Sequence, residues 1–179
     1  MGYSDSGKDT VAKIIQEYDR AINVKWSRPM KDMLEMVYSI PKGSLDDKEF
    51  RKEMVPGHTI NWSELMIRCY FQFPEIDPNM MIQKTIRKIK MSLVAGTSVI
   101  ITDTRNITEG DVIKTLLNNE VNLVNIWIHR PGVQPKASDN VQAHIYQSLA
   151  DHTKKNHTII NDGTLDQLTA KIEAILCNH

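Results

Sequence analysis

The first ten residues combine a glycine-rich turn with the start of a helix, and this pairing constrains the fold more than any other feature. Residues 2–8 have the spacing Gly-x4-Gly-Lys, in which glycines allow a sharp turn and successive N–H groups can point at phosphate oxygens. Lys8 would then reach the β- and γ-phosphates of a nucleotide. Apolar residues at 11, 14, 15 and 18 repeat with a helical period, so a helix N-terminus adds positive charge at the same place. The pattern favours a phosphate loop over a surface turn that caps a helix.

Two features depart from the simplest pattern of such a loop. The position after Lys8 holds Asp9 instead of a hydroxyl residue, and Thr10 follows it. A phosphate loop also follows a buried strand, yet only Met1 precedes Gly2 in this sequence. We therefore expect the natural chain to begin upstream with an apolar strand of about five residues in the middle of a parallel sheet. Otherwise another segment or another chain must fill that position.

Bulk composition narrows the class of protein. The chain has 179 residues, of which 41% are hydrophobic, and its 22 basic residues balance 22 acidic ones. These values are typical of one globular domain, residues 1–179, and give no global field for nucleic acid or membrane. Cys69 and Cys177 lack metal-ligand spacing, which favours a reducing compartment and predicts a cytoplasmic protein.

Strand patterns alternate with helical patterns along the chain, which predicts an α/β fold with a parallel sheet. The predicted strands are residues 21–26, 98–102, 123–128 and 157–160, and the second should be buried on both faces. The predicted helices are residues 11–18, 29–37, 61–73, 78–94, 108–118 and 165–176, with shorter ones at 48–54 and 143–150. Pro74 should end the third helix, Gly96 the fourth, and Thr164 should cap the last.

Polar residues follow three of the predicted strands. The three endings are Asp103-Thr104-Arg105, His129-Arg130 and Asn161-Asp162-Gly163. Ligands bind at the carboxyl ends of parallel strands, the rim at which a phosphate loop also lies. Each ending has a structural alternative, such as a pair between Arg105 and Glu109 or a simple Asn-Asp-Gly turn, but the combination indicates a nucleotide site.

The motifs and their order resemble those of phage deoxynucleoside monophosphate kinases, which belong to the P-loop nucleoside monophosphate kinase superfamily. The shared segments are Ser6-Gly7-Lys8-Asp9-Thr10, Arg28-Pro29-Met30-Lys31, Asp103-Thr104-Arg105, Arg130-Pro131-Gly132, His144-Ile145 and Ile160-Asn161-Asp162-Gly163-Thr164-Leu165. The resemblance covers residues 2–37 and 97–176 and is weak over 38–96. The first and third motifs also occur in the phosphomevalonate kinases of animals.

The resemblance implies a three-layer α/β/α fold and a role for each matching residue. Lys8, Arg105 and Arg130 would be catalytic, with Arg105 bridging donor and acceptor phosphates. Thr10 would help to hold Mg²⁺, directly or through water. The residues that would bind ATP are Gly2, Ser4, Asp5, Ser6, Gly7, Lys8, Asp9, Thr10, Asn161 and Gly163, the last two near the adenine.

The same resemblance implies an acceptor site and a lid. Residues 38–96 would form the acceptor-binding helical segment and residues 131–150 the lid, in which Gln147 replaces the glutamate of the family. Lys31, Asp103 and Arg105 would contact the acceptor, and Arg68 and Arg87 are further candidates among the helix-surface arginines.

The implied reaction is transfer of the γ-phosphate of ATP to a nucleoside monophosphate, with no nucleic acid or membrane as partner. The acceptor stays open among dTMP, dGMP and modified pyrimidine nucleotides, and a homodimer stays open. A kinase that resembles phosphomevalonate kinase and a non-catalytic nucleotide-binding module are the alternatives. The compartment would be the host cytoplasm if the chain is encoded by a phage.

Overall fold

A computed structural model describes residues 1–77, 79–104, 107–117, 123–134, 145–147 and 156–177. The chain divides into two compact units. The first, which we call the loop unit, comprises residues 1–24 and 91–179, and the second, the helical unit, comprises residues 25–90.

The described elements alternate between helices and strands, as the sequence predicts. The helices are α1 (Lys8–Tyr18), α2 (Arg28–Val37), α3 (Trp62–Ile76), α4 (Met80–Val94), α5 (Ile107–Leu117) and α6 (Leu165–Leu176). The strands are β1 (Ala21–Val24), β2 (Ser98–Ile101), β3 (Asn125–His129) and β4 (Asn156–Ile160). Residues 145–147 are also helical, within the predicted segment 143–150.

Both strand pairs that the structure describes in the loop unit are parallel, which confirms the prediction of an α/β fold with parallel strands. Strand β1 pairs with β2, with Ala21 opposite Ser98, and β3 pairs with β4, with Asn125 opposite Asn156. The described strands thus form two separate two-stranded sheets instead of one continuous sheet. The prediction that β2 is buried on both faces is wrong, because Ser98 is exposed and the other three residues are only half-buried. The two faces of a parallel strand are buried by helices that pack on the sheet, so the half-buried residues of β2 lack full cover of this kind.

Helices α1 and α6 pack on the β3–β4 sheet and form the core of the loop unit. The buried side chains in this cluster are Val11, Ile14, Ile128, Ile159, Leu168, Ile172 and Ile175. The apolar stripes of both helices therefore face the same sheet, as their 3.6-residue period requires. Helix α1 also contacts β1, so the helix that follows the loop touches elements of both sheets.

The helical unit has its own core around Trp62. Trp62 is 1% exposed; Phe50 stacks on it at 5.8 Å between ring centroids, and Tyr38 meets it edge-on at 5.0 Å. Leu45 and Val55 are almost completely buried in the same cluster. These two residues belong to connecting segments, so loops as well as helices complete this core.

Several predicted helix ends are confirmed and one is corrected. The Thr164 side chain caps α6 through a capping box with Gln167, and Gly96 has a φ of 69° just beyond α4. However, α3 continues past Pro74 to Ile76, because the Asp77 amide still donates to the Phe73 carbonyl oxygen at 3.0 Å. Proline removes its own donor and crowds the carbonyl group four residues earlier, but the amides that follow it can still donate, so the last turn persists.

The helix predicted at residues 48–54 is a short 3-10 turn, Phe50–Lys52, with another at Ser44–Asp46. The Glu53 and Asp47 amides close these turns by donating three residues back. So few residues cannot repay the cost of nucleating an α-helix. No helix within the described ranges is long and apolar enough to cross a membrane.

Candidate phosphate-binding site

The main chain of residues 2–8 adopts the turns that the glycine pattern predicts. Gly2 and Gly7 have φ values of 144° and 104°, and Asp5 lies in the left-handed region at 67°, which aspartate tolerates better than most residues. A Cβ at Gly7 would lie 2.5 Å from Asn161 Nδ2, and one at Gly2 would collide with the Ile128 carbonyl oxygen. The positive φ favours glycine at both positions, and at Gly2 the main-chain carbonyl oxygen of Ile128 also leaves no space for a Cβ.

The Lys8 side chain folds back over this loop. Its ammonium donates to the carbonyl oxygens of Gly2 at 2.7 Å and Tyr3 at 2.5 Å. Lys8 is also the first residue of α1, so the amides of the first helical turn lie beside the loop. An ammonium and a helix N-terminus at one place suit an anion.

Asn161 braces the loop from the end of β4. Its side-chain amide donates to the Ser6 carbonyl oxygen at 2.9 Å, while its main-chain amide donates to the His129 carbonyl oxygen at 2.7 Å. Ser6 is 1% exposed, and its hydroxyl has no partner among the described residues. The sequence places Asn161 near the adenine, whereas the structure gives its side chain a contact with the loop main chain.

A contact from the other sheet reaches the loop at Asp9. The Thr102 hydroxyl, one residue beyond β2, donates to the Asp9 carboxylate at 3.5 Å. Thr102 and Thr104 are both buried, whereas Asp103 between them is half-buried. The ends of β2 and β4 therefore both contact the loop and its helix, as expected for the carboxyl rim of parallel strands.

Met1 continues the loop into the edge of β3. Its amino group donates to the Ile126 carbonyl oxygen, and the Ile128 amide donates to the Met1 carbonyl oxygen at 2.8 Å. The amino group is buried, and burial, with a contribution from the Lys8 charge, lowers its pKa from 8.0 to about 5. The sequence predicts a strand before the loop but not the strand with which it pairs, because the pairing joins residues more than 120 positions apart.

An aromatic row lies beside the loop on the opposite face of β3 from the apolar core. Tyr3 meets Trp127 edge-on at 5.4 Å, and Trp127 contacts Tyr146 at 5.3 Å between ring centroids. The Asn125 side chain holds the segment that carries Tyr146 by donating to its carbonyl oxygen at 3.1 Å. Sequence reasoning missed these residues because aromatic packing across elements leaves no local pattern.

Lys31 lies in the helical unit, inside a cluster of charges. Its ammonium donates to Asp46 at 2.6 Å, and Arg28 donates to the other oxygen of the same carboxylate at 2.8 Å. Arg28 also pairs with Asp32 at 2.7 Å and with the buried Glu35. Burial lowers the pKa of Lys31, against the hydrogen bond to Asp46, which raises it. The sequence assigned Lys31 to a phosphate, and the structure gives it a carboxylate partner.

Four further predicted site residues lie on the surface, and a fifth is not among the residues that the structure describes. Arg68 pairs with Glu64 at 2.6 Å, one turn earlier on α3, and Arg87 is exposed on α4. Arg130 is exposed just after β3, and Gly163 is exposed before α6. Arg105 lies outside the described residues.

Most residues of the predicted lid, including His144, are also not among those that the structure describes. Its described parts are residues 131–134 and 145–147. Gly132 has a φ of 82°, and the Val133 amide donates to the Arg130 carbonyl oxygen at 3.2 Å. The chain therefore turns directly after Arg130.

The candidate site is a glycine turn at the start of α1, with the Lys8 ammonium folded over it and the Asn161 side chain bonded to its main chain. In the described part of the chain, no group of three or more histidine, cysteine, aspartate or glutamate side chains could hold a metal ion. A comparison with models of known protein families finds no match, and a comparison with curated proteins finds no similar one.

Proposed function

We propose that this chain is an ATP-dependent nucleoside monophosphate kinase, which transfers the γ-phosphate of ATP to a (deoxy)nucleoside monophosphate. One observation carries the proposal: residues 2–8 turn through two positive-φ glycines, with the Lys8 ammonium folded over the turn and α1 starting from it. This combination suits the phosphates of a nucleotide. The resemblance of the motifs to phage deoxynucleoside monophosphate kinases supplies the acceptor class.

Phosphoryl transfer from one phosphate to another requires little covalent catalysis by the protein. The transition state is loose and in-line, so positioning and positive charge supply most of the rate enhancement. The acceptor is already an anion and needs no strong general base. In this scheme Lys8 and the loop amides bind the ATP phosphates, while Arg105 and Arg130 stabilise charge on the transferred group.

The residues around the start of α1 fit a magnesium ion. The Asp9 carboxylate, which accepts from Thr102 at 3.5 Å, and the Thr10 hydroxyl on the exposed side of α1 are oxygen donors. Mg²⁺ prefers oxygen ligands and is commonly held by one or two protein groups together with substrate phosphates and water. When bound, the ion would neutralise charge on the ATP phosphates.

The acceptor monophosphate is assigned to Lys31 and, with a weaker basis, to Arg68. The assignment of Lys31 rests on the Arg28-Pro29-Met30-Lys31 motif of the resemblance, whereas in the structure its buried side chain pairs with Asp46. Arg68 forms a half-exposed pair within one helix, which is common surface chemistry. The resemblance is weak in residues 38–96, so the base of the acceptor stays an experimental question.

An ADP-release assay across the deoxynucleoside monophosphates tests the proposal, with phosphomevalonate as a further acceptor. We expect ADP release only with ATP, Mg²⁺ and a nucleoside monophosphate together. Lys8→Ala should abolish this activity, and Lys13→Ala, on the exposed side of the same helix, should retain it. ATP binding without ADP release for any acceptor would instead favour a non-catalytic module, and release with phosphomevalonate alone would favour the other kinase class.

A further inference from the structure

The Asn161 side chain contacts the phosphate loop at the peptide group that joins Ser6 to Gly7. Its amide donates to the Ser6 carbonyl oxygen at 2.9 Å. The same amide also fills the space beside the next residue, because a Cβ at Gly7 would lie 2.5 Å from Asn161 Nδ2. Asn161 therefore holds this peptide from its carbonyl side.

The main chain of Asn161 is itself held in place. Its amide donates to the His129 carbonyl oxygen at 2.7 Å, which continues the pairing of β3 with β4. The Lys171 ammonium on α6 donates to the Ile160 carbonyl oxygen at 2.6 Å and to the Asp162 carboxylate at 3.1 Å. The residues before and after Asn161 are thus tied to a helix of the core, so its side chain starts from a well-supported main chain.

The bond to Asn161 determines where the Gly7 amide points. The Ser6–Gly7 peptide is trans, and a trans peptide is planar, with its C=O and N–H groups pointing in opposite directions. Because the Ser6 carbonyl oxygen faces Asn161, the Gly7 N–H faces away from it. Among the residues that the structure describes, this N–H has no acceptor, and the hydroxyl of Ser6 has no partner although Ser6 is only 1% exposed. Unpaired buried donors are rare in native proteins, so the turn has donors to offer an anion.

The glycine at position 7 allows two orientations of this peptide. Gly7 has a φ of 104° and a ψ of 14°, and glycine populates positive and negative φ about equally. The peptide before it can therefore turn over at little cost, which would exchange the directions of the Ser6 carbonyl oxygen and the Gly7 N–H. A carbonyl oxygen in place of the N–H would repel an anion.

We propose that Asn161 is a positioning residue, which stabilises the orientation of the Ser6–Gly7 peptide that presents the Gly7 N–H to a phosphate group. The inference rests on the phosphate loop of the proposed function, but it requires only that a phosphate is bound and not that it is transferred. One hydrogen bond changes such an equilibrium by about three- to tenfold. A ligand that binds only one orientation loses apparent affinity in proportion to the population of the other.

Two substitutions of Asn161 and one control measure this effect through the affinity for ADP in the presence of Mg²⁺. Asn161→Ala removes the donor and should weaken ADP binding by about three- to tenfold. Asn161→Asp keeps the shape, but its carboxylate can only accept and would repel the Ser6 carbonyl oxygen, so binding should weaken by at least about tenfold. Thr158→Ala, at an exposed position of β4, should leave the affinity within about twofold of the unchanged chain.

The peptide itself gives a direct readout by NMR. Ser6–Gly7 is the only Ser-Gly pair in the sequence, so carbonyl-¹³C serine together with ¹⁵N glycine labels this one peptide bond. In the unchanged chain ADP should shift the Gly7 amide resonance. In Asn161→Ala the Ser6 carbonyl resonance should move without any nucleotide, and about three- to tenfold more ADP should be needed to shift the Gly7 amide. A general loss of stability would not produce this local change.

An unchanged affinity for ADP in Asn161→Ala would overturn the proposal. ADP binding that leaves the Gly7 amide resonance unmoved would also overturn it, and this result needs only the unchanged chain, so it holds even if a variant is unstable. A chain that binds neither ADP nor inorganic pyrophosphate would contradict both this inference and the phosphate loop. ADP binding that depends on Asn161, in a chain that releases no ADP from ATP with any acceptor, would support the inference and contradict the proposed kinase function.

Discussion

Two lysines that the sequence assigns to phosphates lie in contrasting surroundings. Lys8 reaches the carbonyl oxygens of a tight turn, and the geometry of that turn comes from Gly2 and Gly7. Lys31 reaches the Asp46 carboxylate, which it shares with Arg28. The first lysine depends on main-chain conformation, and the second belongs to a charge cluster that also ties α2 to the following turn.

The two lysines therefore differ in whether their removal should mainly affect catalysis or the stability of the fold. The Lys8 ammonium reaches the main chain of a turn and its side chain adds little apolar packing, so its removal should change chemistry and leave the fold intact. A buried member of a partly buried charge cluster, such as Lys31, leaves other charges uncompensated when it is removed. The effect of a lysine substitution in the loop can therefore be interpreted directly from kinetics. The same substitution in the helical unit also requires a measurement of stability.

The largest expected effect is at Lys8. Lys8→Ala should lower kcat by at least roughly 10³-fold, about 4 kcal/mol of transition-state stabilisation, with a melting temperature within about 2 °C of the unchanged chain. Steady-state kinetics and a thermal melt of the same preparation measure both quantities, with Lys13→Ala as the matched variant. Turnover close to that of the unchanged chain would remove the phosphate-loop assignment.

Arg130 is expected to have the next largest effect. Arg130→Ala should lower kcat by at least roughly 10²-fold, about 2.7 kcal/mol, with a smaller effect on ATP affinity, because its charge acts on the transferred group. Arg105→Ala should behave in the same way. Arg20→Ala, an exposed arginine next to β1, is the control, and an equal loss in that variant would point to a general effect of surface charge.

The sequence predicted much of the loop unit because its signals are local. The helical period after Lys8 predicted α1, the capping residue Thr164 predicted the start of α6, and the glycine spacing predicted the turn itself. Polar residues at strand ends identified the rim, where Asn161 does contact the loop. The fold alone does not identify the nucleotide or the acceptor, so those assignments remain proposals.

Features that depend on distant contacts could not be predicted. The pairing of Met1 with β3 joins the first residue to a strand beyond residue 124, and the sharing of Asp46 by Arg28 and Lys31 spans up to 18 positions. The continuation of α3 past Pro74 was also missed, because one absent donor near a helix end has little effect. In each case tertiary surroundings outweigh the local pattern.

The charge cluster around Lys31 in the helical unit can be tested by measuring stability. Glu35 is 4% exposed and accepts from both Arg28 and the Leu45 amide, the latter at 3.2 Å. Glu35→Ala should lower stability by about 3 kcal/mol and the melting temperature by about 6–12 °C. Glu49→Ala, which breaks the exposed pair with Lys52, should shift it by less than about 2 °C. Similar changes in melting temperature for the two variants would show that the buried carboxylate of Glu35 contributes no more to stability than the exposed carboxylate of Glu49.

The smallest expected effect concerns the Met1 amino group, which lies at the loop but is charged in the unfolded chain. Its pKa is lowered from 8.0 to about 5 by burial and by the Lys8 charge. Between these values the unfolded chain binds the proton more tightly than the folded one, so stability rises with pH from 5 to 8 and is level above 8. Lowering the pH from 8 to 6 should therefore cost about 2 kcal/mol through this group. Denaturant titrations at both pH values measure the loss, and a chain with the four residues Thr-Val-Thr-Val added before Met1 is the control, because its amino group no longer lies beside Ile126. An equal loss in both chains would assign the pH dependence to other groups and would contradict a buried amine at Met1.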